Sequence, residues 1–188
     1  MSGKPTLHGE MVRLRPIRAE DAEASWRLVT DPEGRRLTGT TQVFTREQID
    51  DWCASIAAVP GRYDWAITAG DSDEMLGEVV LNQLDDEVSS ANVRVALRAG
   101  HRGRGYAREA LIVVLRYAFT PAPDGLGLHR VSLDVLSINP RAFALYESLG
   151  FVKEGRLRDA HLEGSRYCDV ILMGMLEDDF VHASPHWQ

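Results

Sequence analysis

The chain has 188 residues, 44% hydrophobic and 26% charged, which is ordinary globular usage and excludes a disordered or coiled-coil protein. Its 28 acidic against 21 basic side chains leave a net charge of −7, which argues against nucleic acid or an anionic membrane as the main partner. Residues 1–10 lack the apolar core of a signal peptide, the longest apolar run (residues 110–115) is far too short to span a bilayer, and Cys53 and Cys168 stand apart as in a reducing cytoplasm.

Residues 11–16 alternate apolar and basic side chains, the pattern of a half-buried strand. Residues 19–29 carry Ala22, Trp26 and Val29 at helical spacing behind an acidic first turn, Glu20 and Asp21. A loop is expected over 32–44. Thr45 and Gln48 then form a capping-box pattern that opens a helix holding Ile49, Trp52, Cys53 and Ile56, ended by Pro60-Gly61. Residues 63–68, 75–84 and 91–97 read as short strands punctuated by Gly70, Asp85-Asp86 and Ser89-Ser90. After Gly105 the period changes: Ala107, Leu111, Val114, Leu115 and Ala118 share one helix face, and Pro121 breaks it. A strand over 131–135, a short helix over 141–149 and a last strand over 166–176 complete an α/β or α+β domain around one mixed sheet. The domain is expected to span residues 1–180, with 181–188 as a mobile tail.

Residues 93–110 are the most informative: a strand, a loop with Gly100, Gly103 and Gly105, then an amphipathic helix. Glycines let backbone approach a ligand, and the free N–H groups of the helix favour an anion there, with Arg102 and Arg104 beside them. A dinucleotide fingerprint would need glycine or alanine where Arg108 stands, and no GK[ST] occurs. A phosphate cradle and a plain glycine-rich surface turn both remain open on this segment. The six histidines show no metal-like spacing, although His101 lies in the loop, and no GxSxG is present. Cys53 and Cys168 read as core residues.

Arg102, Gly105 and Ala107 satisfy the R-x-x-G-x-A form of the central motif of the GNAT superfamily of acetyl-CoA-dependent N-acetyltransferases, between strand and helix as in that family. Asn139, Ala142, Leu145, Tyr146, Gly150 and Phe151 match its second motif in order, and residues 14–21 resemble its first strand and helix start. The resemblance covers roughly residues 10–178 and is nearest to the RimJ/RimL-like branch, which acetylates protein N-termini or small amines. It implies a mixed, mostly antiparallel central sheet flanked by helices, acetyl-CoA as cosubstrate, no metal, an amine acceptor and a homodimer, for which the apolar residues 170–175 offer an edge.

The same resemblance places a pyrophosphate on the backbone of Arg102, Gly103, Arg104, Gly105, Tyr106 and Ala107. The pantetheine arm would lie along Val95 and Leu97, with Asn139 bonding it. Tyr146 would be the general acid, since a phenol of pKa about 10 lies near a thiol of about 8.5. Asp134 would be the general base, with Glu78, Asp85, Glu87 or a water chain as rivals. A catalytically weak acyl-CoA-binding module is the alternative to an enzyme. The acceptor would be read by residues 32–44, 85–90 and 158–166, whose charges are mixed.

Overall fold

The structure, a computed structural model, describes residues 4–187. Its sheet has eight strands in the order β1-β2-β3-β4-β5-β6-β8-β7. β1 (Leu7–His8), β2 (Val12–Pro16), β3 (Tyr63–Ala69), β4 (Gly77–Asp85) and β5 (Ser90–Leu97) pair antiparallel in turn. β5 runs parallel to β6 (Arg130–Leu136), while β7 (Val152–Glu163) and β8 (Arg166–Leu176) extend the far side antiparallel. This is the mixed, mostly antiparallel sheet that the resemblance implied.

Two apolar clusters lie on the sheet. The larger gathers Val79, Leu81, Val93, Leu133 and Met173 under α4 (Tyr106–Phe119), α5 (Pro140–Leu149) and α6 (Glu177–Ala183). Residues 110–115 of α4 are buried all round, which explains their unbroken apolar run. The smaller cluster packs Leu28 of α1 (Ala22–Thr30) and Ile49 and Cys53 of α3 (Arg46–Ser55) on Ile17, Ala66 and Met75. α3 starts on the expected capping box, with Thr45 Oγ1 accepting from the Gln48 N–H at 3.2 Å. α1 is held to β2 by a buried pair: the Arg15 guanidinium donates twice to the Asp21 carboxylate, both at 2.7 Å.

Three expectations change. Residues 32–44 are not all loop: α2 (Pro32–Thr38) forms, capped by Asp31, which accepts from the Gly34 N–H, and stopped by left-handed Gly39. Too short for a helical period to show, it announces itself only through these caps. The apolar run 170–175 is no free edge, because β8 is paired on both sides; the edge is β7, mostly exposed and therefore without alternation. Residues 181–187 are not a mobile tail either, and residue 188 of the expected tail lies outside the described residues. Phe180 stacks on Phe119 at 4.9 Å, a 3-10 turn (Ser184–His186) follows, and the buried Trp187 indole donates to the Leu149 carbonyl at 3.2 Å. A lone terminal tryptophan carries no periodicity, so nothing local revealed that it packs. Cys53 and Cys168 are both buried, as expected of core residues.

Candidate active site

β5 and β6 pair only at Ser90–Arg130, Ala91–Val131 and Asn92–Ser132, then diverge. β5 stays with β4 as far as the Leu97–Gly77 pair, and β6 stays with β8 as far as Leu136–Val170, so each strand leaves the other. A cavity of about 750 Å³ fills the opening. The Arg98 N–H bonds to the Leu76 carbonyl, on the β4 side. Backbone groups alternate along a strand, so the N–H and C=O of Leu97 and Val95 point the other way, into the opening. These are the positions the resemblance chose for the pantetheine arm. Gly77 permits the tight pairing here: a Cβ on it would lie 2.2 Å from the Ala96 carbonyl oxygen.

At the wide end of the opening β5 turns into the glycine loop. Gly100, Gly103 and Gly105 all take positive φ, and Gly105, at 88°, is the N-cap of α4. The first bond of the helix is Glu109 N–H to Gly105 C=O, so the N–H groups of Tyr106, Ala107 and Arg108 are left for a ligand. Arg102, Gly103, Gly105 and Ala107 line the cavity, as do Val95, Leu97, Asn139, Asp134 and Tyr146; Arg104 and Tyr106 do not. Two further cations stand beside the loop, Arg108 and Arg141, and the Arg141 guanidinium lies 3.2 Å from where a Cβ of Gly103 would be.

Arg102 is not a free phosphate ligand. Its Nε donates to the Leu97 carbonyl at 3.1 Å, and its fork reaches the carboxylates of Asp31 and of Glu33, the latter at 2.7 Å. Burial would raise the Asp31 carboxyl, but the Arg102 guanidinium and the Gly34 N–H outweigh it and leave its pKa lowered. Asn139 caps α5, accepting from the Ala142 N–H at 3.2 Å, while its amide donates to the Leu37 carbonyl at 3.4 Å. α2 is therefore fastened to the glycine loop at one end and to α5 at the other. It roofs the cavity with Gly34, Leu37 and Thr38.

Register places the reactive groups. Glu78 lies opposite Ala96, Arg94 opposite Val80, and Asn82 opposite Asn92, all on the sheet face beneath α2. Asp134 follows Ser132 by two residues, so it faces the same way from β6 while Leu133 and Val135 are buried behind it. The Glu78 carboxyl is pushed up to about 7 by burial, with Asp64 adding to the rise and Arg94 and Arg62 opposing it. Asp64 is itself fully buried and held by two bonds from Arg62, at 2.8 and 2.6 Å. Tyr146 is 7% exposed and packs edge-on against Phe151. Burial pushes its phenol up to about 12, Asp134 adds to this and Arg94 opposes it.

The structure thus gathers Asp134, Tyr146 and the glycine loop around one cavity and adds Glu78, which the sequence offered only as a rival base. Asp85 is elsewhere, accepting from the N–H groups of Glu87 and Val88 in a turn. Neither residues 85–90 nor 158–166 line the cavity, so of the segments expected to read the acceptor only 32–44 does. Arg94 and Arg141 were not anticipated, because an isolated arginine in a strand or helix carries no motif. Among the described residues, no group of three or more His, Cys, Asp or Glu side chains could hold a metal ion, and no helix is long and apolar enough to cross a membrane.

A family model described as the acetyltransferase (GNAT) domain matches residues 12–152. The sequence is 30% identical over 178 residues to the uncharacterised N-acetyltransferase p20 of Bacillus licheniformis, covering 93% of this chain and 98% of that one. It is 34% identical over 110 residues to a spermidine N(1)-acetyltransferase of Vibrio cholerae, covering 58% and 61%. A crystal structure of spermidine N-acetyltransferase from Vibrio cholerae, in complex with CoA and spermine, shares the fold with a TM-score of 0.82 over 92% of this chain and 99% of that one, at 24% identity. The splayed parallel pair, the glycine loop at its wide end and a matched domain over most of the length agree: this chain belongs to the GNAT family and is an acetyl-CoA-dependent N-acetyltransferase of amines.

Proposed function

We propose that the chain acetylates a small amine by direct transfer in a ternary complex, with Glu78 as general base and Tyr146 as donor to the departing sulfur. The observation that carries this reading is the roofed opening between β5 and β6, where Glu78, Asp134 and Tyr146 meet the same cavity as the loop. A roof tied down at both ends suits a small molecule better than a protein chain.

The diphosphate of CoA would rest on the N–H groups of Tyr106, Ala107 and Arg108, with Arg108 and Arg141 as charged flanks. The backbone of Val95 and Leu97 would take the pantetheine amides, and a free N–H of that edge would polarise the thioester oxygen. An ammonium entering the cavity gives one proton to the Glu78 carboxylate, and the neutral nitrogen attacks the carbonyl carbon. The C–S bond then breaks and the electron pair leaves on sulfur. The second nitrogen proton and then the one held by Glu78 pass to solvent while the thiolate takes one up, so one proton is released per turnover. A carboxyl with its pKa at about 7 is half ionised at neutral pH, which suits a base. Asp134 is more exposed and is the weaker candidate; it acts on the site's charge. The Tyr146 phenol, at about 12, lies roughly 3.5 units above a thiol, so it hydrogen-bonds the developing thiolate and full transfer is completed with solvent.

The RimJ/RimL-like branch, a cytoplasmic location and a homodimer belong to the same proposal. The long exposed β7 edge, with Val152, Leu157 and Leu162 uncovered, supports pairing of two copies. The test is a pH–rate profile of kcat/KM with a good amine. Wild type should lose rate as pH falls through about 7, because protonated Glu78 is no base. Glu78→Gln should lose roughly 10²–10⁴-fold and that limb with it. A variant that keeps both rate and limb would remove Glu78 from the reaction.

A further inference from the structure

The face of the sheet beneath α2 carries an ordered sequence of charges. Nearest the loop is Glu78, opposite Ala96; next is Arg94, opposite Val80; beyond it are the neutral amides Asn82 and Asn92. Same-face neighbours on adjacent strands lie roughly 7–8 Å apart on the diagonal, within reach of long side chains. Asp134 faces the same space from β6.

Five arginines line the cavity: Arg35, Arg94, Arg102, Arg108 and Arg141. Arg102 is bound by Asp31 and Glu33, and Arg35 donates to the Val29 and Gln42 carbonyls. Arg108 and Arg141 stand at the glycine loop, where the diphosphate belongs. That leaves Arg94 as the cation on the acceptor side. It is an exposed residue that lines the cavity without a side-chain hydrogen bond or ion pair among the described residues, on the strand between that of Glu78 and that of Asp134.

We propose that Arg94 is the acceptor-reading residue and that the acceptor is an amine carrying a carboxylate a few bonds from its nitrogen, as in a free α-amino acid. The ammonium would lie at Glu78, on the loop side of Arg94, and the carboxylate would meet the guanidinium, whose planar fork matches it. A polyamine fits poorly. Its second ammonium, one step beyond Glu78, would meet Arg94, a like charge. The apolar wall of Leu37 and Leu136 receives the side chain. This inference rests on the acetyltransferase reading of the same site.

The experiment measures CoA release by the full chain from acetyl-CoA, with free α-amino acids, the matching α-amino amides, and spermidine. Wild type should favour the best amino acid over its amide by roughly tenfold or more in kcat/KM, the worth of a charged hydrogen-bonded contact. Arg94→Gln should collapse that ratio towards one, chiefly through KM for the acid, and Arg94→Lys should keep part of it. A purely structural role for Arg94 would lower both substrates alike and leave the ratio intact, overturning the inference. So would wild type that prefers the amide or spermidine. The Lys variant, which keeps the charge, supplies the ratio if the Gln variant does not fold. Release of CoA by no amine at all is a different failure: it removes the catalytic reading along with this one.

Discussion

The two ends of the active-site opening are built in different ways. The glycine loop is contiguous: β5, the turn and the start of α4 come from one stretch of chain, and the role proposed for it rests on backbone N–H groups. The acceptor side is assembled from β4, β5, β6 and α2, separated by as much as a hundred residues, and its function resides in side chains. Contiguous backbone chemistry leaves a motif in the sequence. Chemistry assembled across a sheet leaves only single residues whose meaning depends on register.

The contrast can be strained hardest at Arg15. Removing it leaves Asp21 buried without its partner, and the break lies at the joint between β2 and α1, on the acceptor half. Arg15→Ala should cost about 3–5 kcal/mol in denaturant unfolding. A loss below about 1 kcal/mol would show that the acceptor half does not depend on such long-range pairs. Gly105→Glu attacks the contiguous end instead. A residue with a side chain at φ 88° costs about 1–2 kcal/mol, and its carboxylate would face the diphosphate. CoA affinity by titration calorimetry should fall roughly 10²-fold, with Gly105→Ala carrying only the backbone share; equal affinity would take the diphosphate off the loop.

Tyr146→Phe tests the point where both ends meet. If the phenol only hydrogen-bonds the thiolate, kcat should fall about 10- to 10²-fold with CoA affinity kept. A loss below threefold would pass the role to water. Asp134→Asn should have the smallest effect. Its charge helps hold the Tyr146 phenol up, so the variant should lower that pKa and leave a pH–rate profile parallel to wild type. Loss of the acid limb in this variant instead of in Glu78→Gln would restore Asp134 as the base.

Many of the strands and helices and the loop could be read in advance because alternation, capping and glycine spacing are short-range effects. The capping box at Thr45 and the helix after Gly105 are of this kind. α2, β7 and Trp187 escaped for a shared reason: each owes its state to what it packs on or fails to pack on. Glu78 was visible as a carboxylate in a strand. Its raised pKa was not, because Asp64 and the burial behind it belong to β3 and the fold as a whole. Arg94 needed the register of β4 and β5 before its position beside Glu78 could mean anything.

The divergence of β5 from β6 leaves two unpaired strand edges in the middle of a sheet, where a protein ordinarily has none. Such edges are templates for foreign strands, and here the shielding comes from α2, α5 and whatever fills the cleft. In the proposed binding mode the cosubstrate's amides would act as a missing strand, and empty enzyme would be the form open to adhesive mispairing. Warmed below its unfolding temperature, protein saturated with CoA should scatter less light over time than protein without it, by more than the shift in Tm alone explains.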